Sequence, residues 1–431
     1  MQKILLLIAS LFYFNFILAE NEIKSWQGIH ETPLSCLEQQ FAEPPVEFAN
    51  HVIWGWEGKM DKKTICNDLD SIKKKGFRAV IFEAGYKLPF KYLSEEWFKA
   101  IRTGVLEAKK RGMKVWIIDE GKYPSGFAGG KFSQERPDLR MQALVIGDTI
   151  QIKRGEVMTN HKIAPEIISA VAVSTSGAPN RTVAINNGEI SFNAGLDDWK
   201  VLLVKSDFRT AVTRAVNNPN GGKDATNSLC DYLNPIAVQQ FIDWTHKQYK
   251  KYLGKELGTT VLGFRGDEPD YAHLPWTPSI VQTFKETKGY DPTPYLASFF
   301  TASPTIQEQR VKADYWDVWS SLFATHFFKL QADWCAANGV AHITHLNKEH
   351  EMPACVKAEG DYFRNLSKVQ IPGVDAIWNQ IWPGTLNDFP KLASSVAHVY
   401  GKPRAFSESF AAYHISPTIP QAKFVVDHQI A

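Results

Sequence analysis

Seven times along the chain a short apolar run ends in a burst of acidic, polar or aromatic residues. The runs start near His51, Phe77, Met113, Thr260, Ala341, Val374 and Arg404. The first four end in Trp54–Gly55–Trp56–Glu57, Glu83–Ala84–Gly85–Tyr86, Asp119–Glu120–Gly121–Lys122–Tyr123 and Arg265–Gly266–Asp267–Glu268. The last three end in His345–Leu346–Asn347–Lys348–Glu349, Trp378–Asn379–Gln380 and Ser407–Glu408–Ser409. Amphipathic helical stretches separate most of them. Strands that alternate with helices build parallel sheets, because a parallel neighbour can only be reached by a crossover. Units of this kind, with functional side chains at one strand end, are the pattern of a TIM (β/α)8-type barrel in the α/β class. Its chemistry gathers at the C-terminal strand ends.

The rhythm sets the expected layout. A lead-in over 20–48 precedes a first barrel part, 49–141, with strands at 51–56, 78–83 and 114–118. Helices over 62–75 and 94–111 run into Gly76 and Gly112, which suit helix C-termini. From 142 to 215 the pattern turns to period-two alternation broken by turn signals such as Asn186–Asn187–Gly188, which predicts a small antiparallel β insertion after strand three. The second barrel part, 216–431, opens with a helix from Asn234 to Leu253, capped by Asn234 with Pro235 in its first turn. Strands follow at 260–264, 341–344 and 374–378, then one after Arg404. Helices are expected over 305–338 and 386–400. No eighth run follows Ser409, and a seven-stranded barrel leaves two open edges. The chain therefore reads as a barrel truncated before its eighth strand.

The N-terminus places one lysine before about 15 apolar residues, with Ala19 at the exit. That suits a secretory signal over 1–19 better than a membrane span. The expected location is outside the cytoplasm, periplasmic or extracellular, with no integral membrane segment after signal removal. A formal charge of +2 gives no electrostatic reason to bind nucleic acid. The five cysteines show no CxxC pair and no zinc-ligand spacing.

The chemistry-bearing residues fall at strand ends. Glu268, beside Asp267 and stiffened by Pro269, is placed to be a buried general acid. Glu408 follows strand seven, across the mouth from strand four. Two carboxylates that flank a bond are what glycoside hydrolysis needs, one to protonate the leaving oxygen, the other to attack or activate water. Glu349 is the reserve base. Glu83, Asp119 and Glu120 are placed to clamp sugar hydroxyls, as are Tyr123, Asp267, His345, Asn347 and Asn379. His51, Trp54, Trp56, Trp378 and Trp382 complete the sugar-binding set, since a flat apolar ring can stack on a sugar. The sequence points to no particular cofactor. A calcium ion is a candidate where carboxylates converge, although no EF-hand spacing occurs. The glycine-rich Tyr123–Gly130 loop is neither a Walker A nor a GxSxG motif.

The strand His51–Val52–Ile53–Trp54–Gly55–Trp56, the Asp119–Gly130 loop and the helix entry Asp231–Tyr232–Leu233–Asn234–Pro235 resemble bacterial glycoside hydrolase family 106. So do Gly266–Asp267–Glu268, Gly373–Val374–Asp375 and Ser407–Glu408–Ser409, over roughly residues 45–431. The resemblance implies an exported enzyme of plant or microbial polysaccharide breakdown, α-L-rhamnosidase-like. It further implies mouth glutamates as acid and base, an inverting outcome, and additional β-sandwich domains in the full-length proteins. The residues alone leave two rivals open. One is a barrel that binds glycan without cleaving it; the other is a lyase or deacetylase, which would call for a metal or a Tyr/Lys base.

Overall fold

The computed structural model describes residues 33–44, 50–121, 123–210, 213–214, 223–224, 228–271, 274–384, 387–413 and 417–430. The expected signal segment and most of the lead-in lie outside these. Where the lead-in is described it carries a helix, Leu34–Ala42. Seven strands pair in parallel and in chain order as one sheet. They are β1 (His51–Trp56), β2 (Ala79–Ala84), β3 (Lys114–Ile118), β4 (Val261–Gly266), β5 (Ala341–Thr344), β6 (Ile371–Ala376) and β7 (Phe406–Ser409).

Local signals start and stop the crossovers. Helix α1 (Lys62–Lys74) is capped by Asp61, whose carboxylate accepts the Thr64 N–H. Helix α2 (Glu95–Lys110) is capped by Ser94, and carries Glu95 and Glu96 in its first turn and Lys109 and Lys110 in its last, complementing the helix dipole. The helix expected over 234–253 is in fact two, α3 (Pro235–Trp244) and α4 (His246–Leu253). They break at Thr245, which leaves helical geometry with φ −111° and ψ −86°. The helix expected over 305–338 runs as α5 (Ile306–Leu322), a π-helical turn at Phe323–Phe328, and α6 (Lys329–Ala337).

Alternation along the strands sorts side chains onto two faces. Val80, Phe82, Val115, Ile117 and Phe264 face the helices and pack with Trp97, Ile101 and Tyr249. On the other face Ile81, Trp116, Ile118, Leu262, Ala341, Ile343 and Ile371 form a separate apolar cluster, with Phe406 against it. The sheet therefore curls around an interior of its own. Gly263 is required where Trp116 crosses β4, because a Cβ there would lie 1.9 Å from the Ala341 carbonyl oxygen and 2.7 Å from the Trp116 ring. The curl also brings Arg265 of β4 into contact with Glu408 of β7, three strands away.

Strand β6 starts three residues before its expected position. Ile371–Pro372–Gly373 looks like a turn in sequence, yet Pro372 pairs with Thr344 and Gly373 makes room for the Phe406 ring. Trp378 and Asn379 consequently lie beyond the strand, both in left-handed backbone.

The segment between β3 and β4 carries the antiparallel insertion. Its largest sheet orders Gln142–Ile152, Trp199–Phe208, Ile167–Ser174 and Arg181–Thr182, and Pro275–Trp276, from beyond β4, adds a strand at the Gln142–Ile152 edge. A core of its own surrounds the buried Trp199. The insertion closes at a neck, where Arg140 and Cys230 form an antiparallel bridge and the Met141 N–H donates to the Leu229 carbonyl at 2.9 Å. No described helix is long and apolar enough to cross a membrane.

Candidate active site

The inner face of the sheet changes character toward its C-terminal end. Above the apolar cluster, the last inward positions are Glu83 on β2, Arg265 on β4, Asp375 on β6 and Glu408 on β7. Asp267 and Glu268 follow β4, and His345 follows β5. Asp375 and Glu408 are register partners on adjacent strands.

Arg265 is the hub. It is 1% exposed, in direct contact with Glu408, and its Nη2 lies 3.6 Å from Asp267 Oδ1. His345 is equally buried, and its Nε2 stands 3.0 Å from Asp267 Oδ1 and 3.3 Å from Glu408 Oε2. Arg265 Nη2 is 2.8 Å from that same nitrogen, so guanidinium and imidazole converge on the same two carboxylates. Burial alone would disfavour the imidazolium, but hydrogen bonds to Asp267 and Glu408 raise its pKa well above the usual histidine value. Burial alone would likewise raise Glu408. The charge of Arg265 and the bond from His345 outweigh it and hold Glu408 well below the usual carboxylate range.

Glu268 has the opposite environment. Burial, and then the neighbouring Asp267, push its pKa up to about 7. Asp375 is pushed to about 9, first by burial and then, against the opposing pull of His345, by Glu408 and Glu268. The site therefore sets a neutral carboxylic acid beside an ionised carboxylate. Glu268 holds this place in left-handed backbone, φ 40°, a conformation uncommon for a residue with a Cβ.

A hydroxyl ties the loop after β4 to the loop after β3. Ser125 Oγ donates to Asp119 Oδ1 at 2.7 Å and accepts the Asp267 N–H at 2.7 Å, while the Ser125 N–H reaches the Asp267 carbonyl at 2.8 Å. Ser125→Ala is expected to cost about 1–3 kcal/mol, because it strands the buried Asp119 carboxyl. Urea unfolding measures this; an unchanged midpoint would show that the backbone bond alone holds the two loops.

The other expected site residues divide. Glu83 faces inward at the end of β2, where it adds to the field on Arg265. Asp119 is fully buried and bonded to Ser125, with its pKa raised to about 7 by burial. Glu120 turns into its own loop and accepts the N–H groups of Gly121, Ala128 and Gly129, which fixes the loop instead of reaching the cleft. Glu349 is 3% exposed and accepts the Leu346 N–H at 2.9 Å, so it shapes the β5 loop. Asn347 donates to Asp270 at 3.3 Å. Tyr123 and Asn379 are half-buried, and Trp378 and Trp382 are 64% and 38% exposed beyond β6.

Three expectations are corrected. Trp56 is 0% exposed and packs on Phe82 and Trp97, and Trp54 packs on Phe82 and on Trp56 itself. Both lie on the helix side of the sheet, out of reach of a sugar in its interior. His51 does face the interior, 6.3 Å from Trp116, but it begins β1 and sits at the end away from the mouth. Arg265 and Asp375 were missed as site residues. Their signal was a charge inside a run that otherwise reads as fully buried strand.

Two sets of donors in the cluster have ligand atoms within 4.8 Å of one another, Glu268–His345–Asp375 and Asp267–His345–Glu408. Each offers an imidazole and two carboxylates, whereas calcium takes six to eight oxygens, so a calcium ion would need further oxygen donors. A third set, His246, Cys335 and His342, is buried behind the sheet. These residues come from separate elements, which is why no ligand spacing shows in sequence.

Comparison with known proteins supplies the family. Residues 162–427, more than half of the chain, match the sequence family described as alpha-L-rhamnosidase, glycoside hydrolase family 106. The chain belongs to glycoside hydrolase family 106. A Formosa agariphila protein provisionally named a beta-glucuronidase is 24% identical over 429 residues, covering 87% of this chain and 35% of its own length. The solved structure of a rhamnosidase from Novosphingobium sp. PP1Y superposes with a TM-score of 0.64 at 16% identity, covering 88% of this chain and 53% of that one. That likeness shows a shared fold. The family 106 chain thus spans about a third to a half of the length of these relatives.

Proposed function

We propose that this family 106 chain is the catalytic barrel of an exported glycoside hydrolase that cleaves a glycosidic bond in an oligo- or polysaccharide. The observation that carries the reading is the divergence of two neighbouring carboxyls, with Glu268 raised to about 7 and Glu408 held ionised. Environments that push two such groups apart assign acid and base roles. Glu268 gives its proton to the leaving oxygen as the bond breaks. Glu408 supplies negative charge opposite it, either activating a water or attacking the anomeric carbon, and the separation of the two carboxyls around bound sugar decides which. Arg265 and His345 keep Glu408 ionised and aimed. The seven-stranded wall is read as part of a TIM-type barrel, which puts the cluster at the mouth where such enzymes work. The apolar N-terminal run supports export. An α-L-rhamnoside is the leading substrate, and the name of the Formosa relative adds a β-glucuronide.

The complete gene product should release aryl alcohol from one member of a panel of aryl glycosides that includes both sugars. Its kcat/KM should fall as pH rises through about 7, because Glu268 must be protonated to act and loses that proton there. Silence across the panel from folded protein, or activity unchanged between pH 6 and 9, would sink the assignment.

A further inference from the structure

The loop that presents Glu268 has a second side. Three residues further on, Tyr271 lines a cavity of 870 Å³ beside the charged cluster. The opposite wall comes from the loop after β5, where Lys348 Nζ lies 3.7 Å from Asp270 and Lys348 and His350 face the cavity. The two loops that bring Glu268 and His345 to the cluster therefore also help to line this cavity, through Tyr271 on one and Lys348 and His350 on the other.

Its lining has a definite chemistry. Trp316 of α5 stands 6.1 Å from the Phe299 ring, and Phe300 continues the aromatic wall. Both phenylalanines and Trp316 are only partly buried, so part of each side chain is accessible from the cavity. Lys312, one helical turn before Trp316, holds its ammonium 5.7 Å from the Phe299 centroid. Lys357 comes from the helix Met352–Glu359. Three lysines and a histidine thus line the space against one carboxylate, Glu351. Among the described residues neither Lys312 nor Lys357 has a carboxylate partner within 4 Å. Burial lowers the pKa of Lys312 against the opposing charge of Glu308, so an anion brought to it from the cavity would restore lost solvation.

We propose that this cavity is a saccharide subsite for an anionic sugar unit, carrying a carboxylate or a sulfate, next to the bond that is cleaved. Aromatic faces take the apolar side of a pyranose ring, and lysines take the anion as point charges. The volume lies within the range of small-ligand sites and accommodates more than one sugar unit. Calling it a subsite rests on the glycosidase reading of the neighbouring cluster; the preference for anions does not.

Calorimetry on the complete protein tests the proposal with trigalacturonate, a sulfated carrageenan oligosaccharide and neutral galactotriose. At least one anionic probe should bind about tenfold more tightly than galactotriose, and the advantage should shrink as salt is raised. Whichever anionic probe binds more tightly identifies carboxylate or sulfate as the group recognised. Lys312→Met combined with Lys357→Met should abolish the preference while hydrolysis of a small aryl glycoside is unchanged. Trp316→Ala should weaken charged and neutral probes alike. Equal affinity for all three probes, or a preference that survives the double lysine variant, overturns the subsite even if aryl glycosides are cleaved. A lysine-dependent preference in a protein that cleaves no glycoside would keep the anionic site and sink the glycosidase reading instead.

Discussion

Glu268→Gln is expected to lower kcat/KM by about a thousandfold, within the range for loss of a general acid and close to 4 kcal/mol of transition-state stabilisation. Gln keeps the shape and a hydrogen-bonding amide but has no proton to give. The loss should therefore depend on the leaving group. A dinitrophenyl glycoside leaves without protonation and should lose little, whereas a natural alkyl or sugar leaving group should lose the full amount. The fall in activity above about pH 7 should disappear as well, because the group that titrates there is gone. Equal losses for good and poor leaving groups would assign Glu268 to binding and leave the acid role to another residue, with Asp375 next in line.

Arg265→Met is expected to act on stability and on the pH profile together. It removes the buried cation between Glu408, Asp267 and Glu83 and leaves their charges facing one another. Breaking such a buried set costs about 3–5 kcal/mol. Glu408 is depressed in the folded state, so its contribution to stability is present above the unfolded carboxylate pKa and is lost as pH falls toward the folded value. Without Arg265 the folded pKa rises and that contribution shrinks, so the variant's stability deficit should be largest near neutral pH and narrow as acid protonates Glu408. The acid limb of its activity should also move up. Combining Arg265→Met with Glu408→Gln should recover part of the lost stability, since the second change removes a charge the first left unpaired. Urea unfolding of the four proteins measures the coupling; purely additive losses would show that Arg265 acts through packing alone.

The sheet could be read in advance because its strands obey local rules. β1, β3 and β5 stand at their expected bounds, β2 within a residue, since apolar runs mark their length and glycines follow the helices before β2, β3 and β5. β6 slipped because proline and glycine carry two meanings. In most contexts Ile371–Pro372–Gly373 is a turn, and only the partner ring of Phe406 makes it a strand. Glu268, just past β4, and Glu408, within β7, stand out in sequence as acidic residues at the ends of apolar runs. Trp54 and Trp56 show where that logic fails, because a strand end has two faces and an aromatic residue suits both. The alternation could have decided it: Gly55 pairs with Glu83, so the residues on either side of Gly55 must face the helices. The locking of Glu120 and Glu349 onto backbone N–H groups could not be foreseen, since it depends on loop conformations that no spacing encodes.

The neck at Arg140 and Cys230 bears on how the chain reaches this fold. Pairing β3 with β4 directly would close a loop of about 140 residues, the longest between sheet neighbours and the most costly in chain entropy. Once the insertion has formed around Trp199, its ends are already held together by the Arg140–Cys230 bridge. The remaining search then spans only the short arms either side of the neck, a few tens of residues in all. An insert that first gathers its own ends behaves, for the seven-stranded sheet, as a short tether. That is the condition under which a parallel sheet tolerates a long interruption between two neighbouring strands without slowing its own closure.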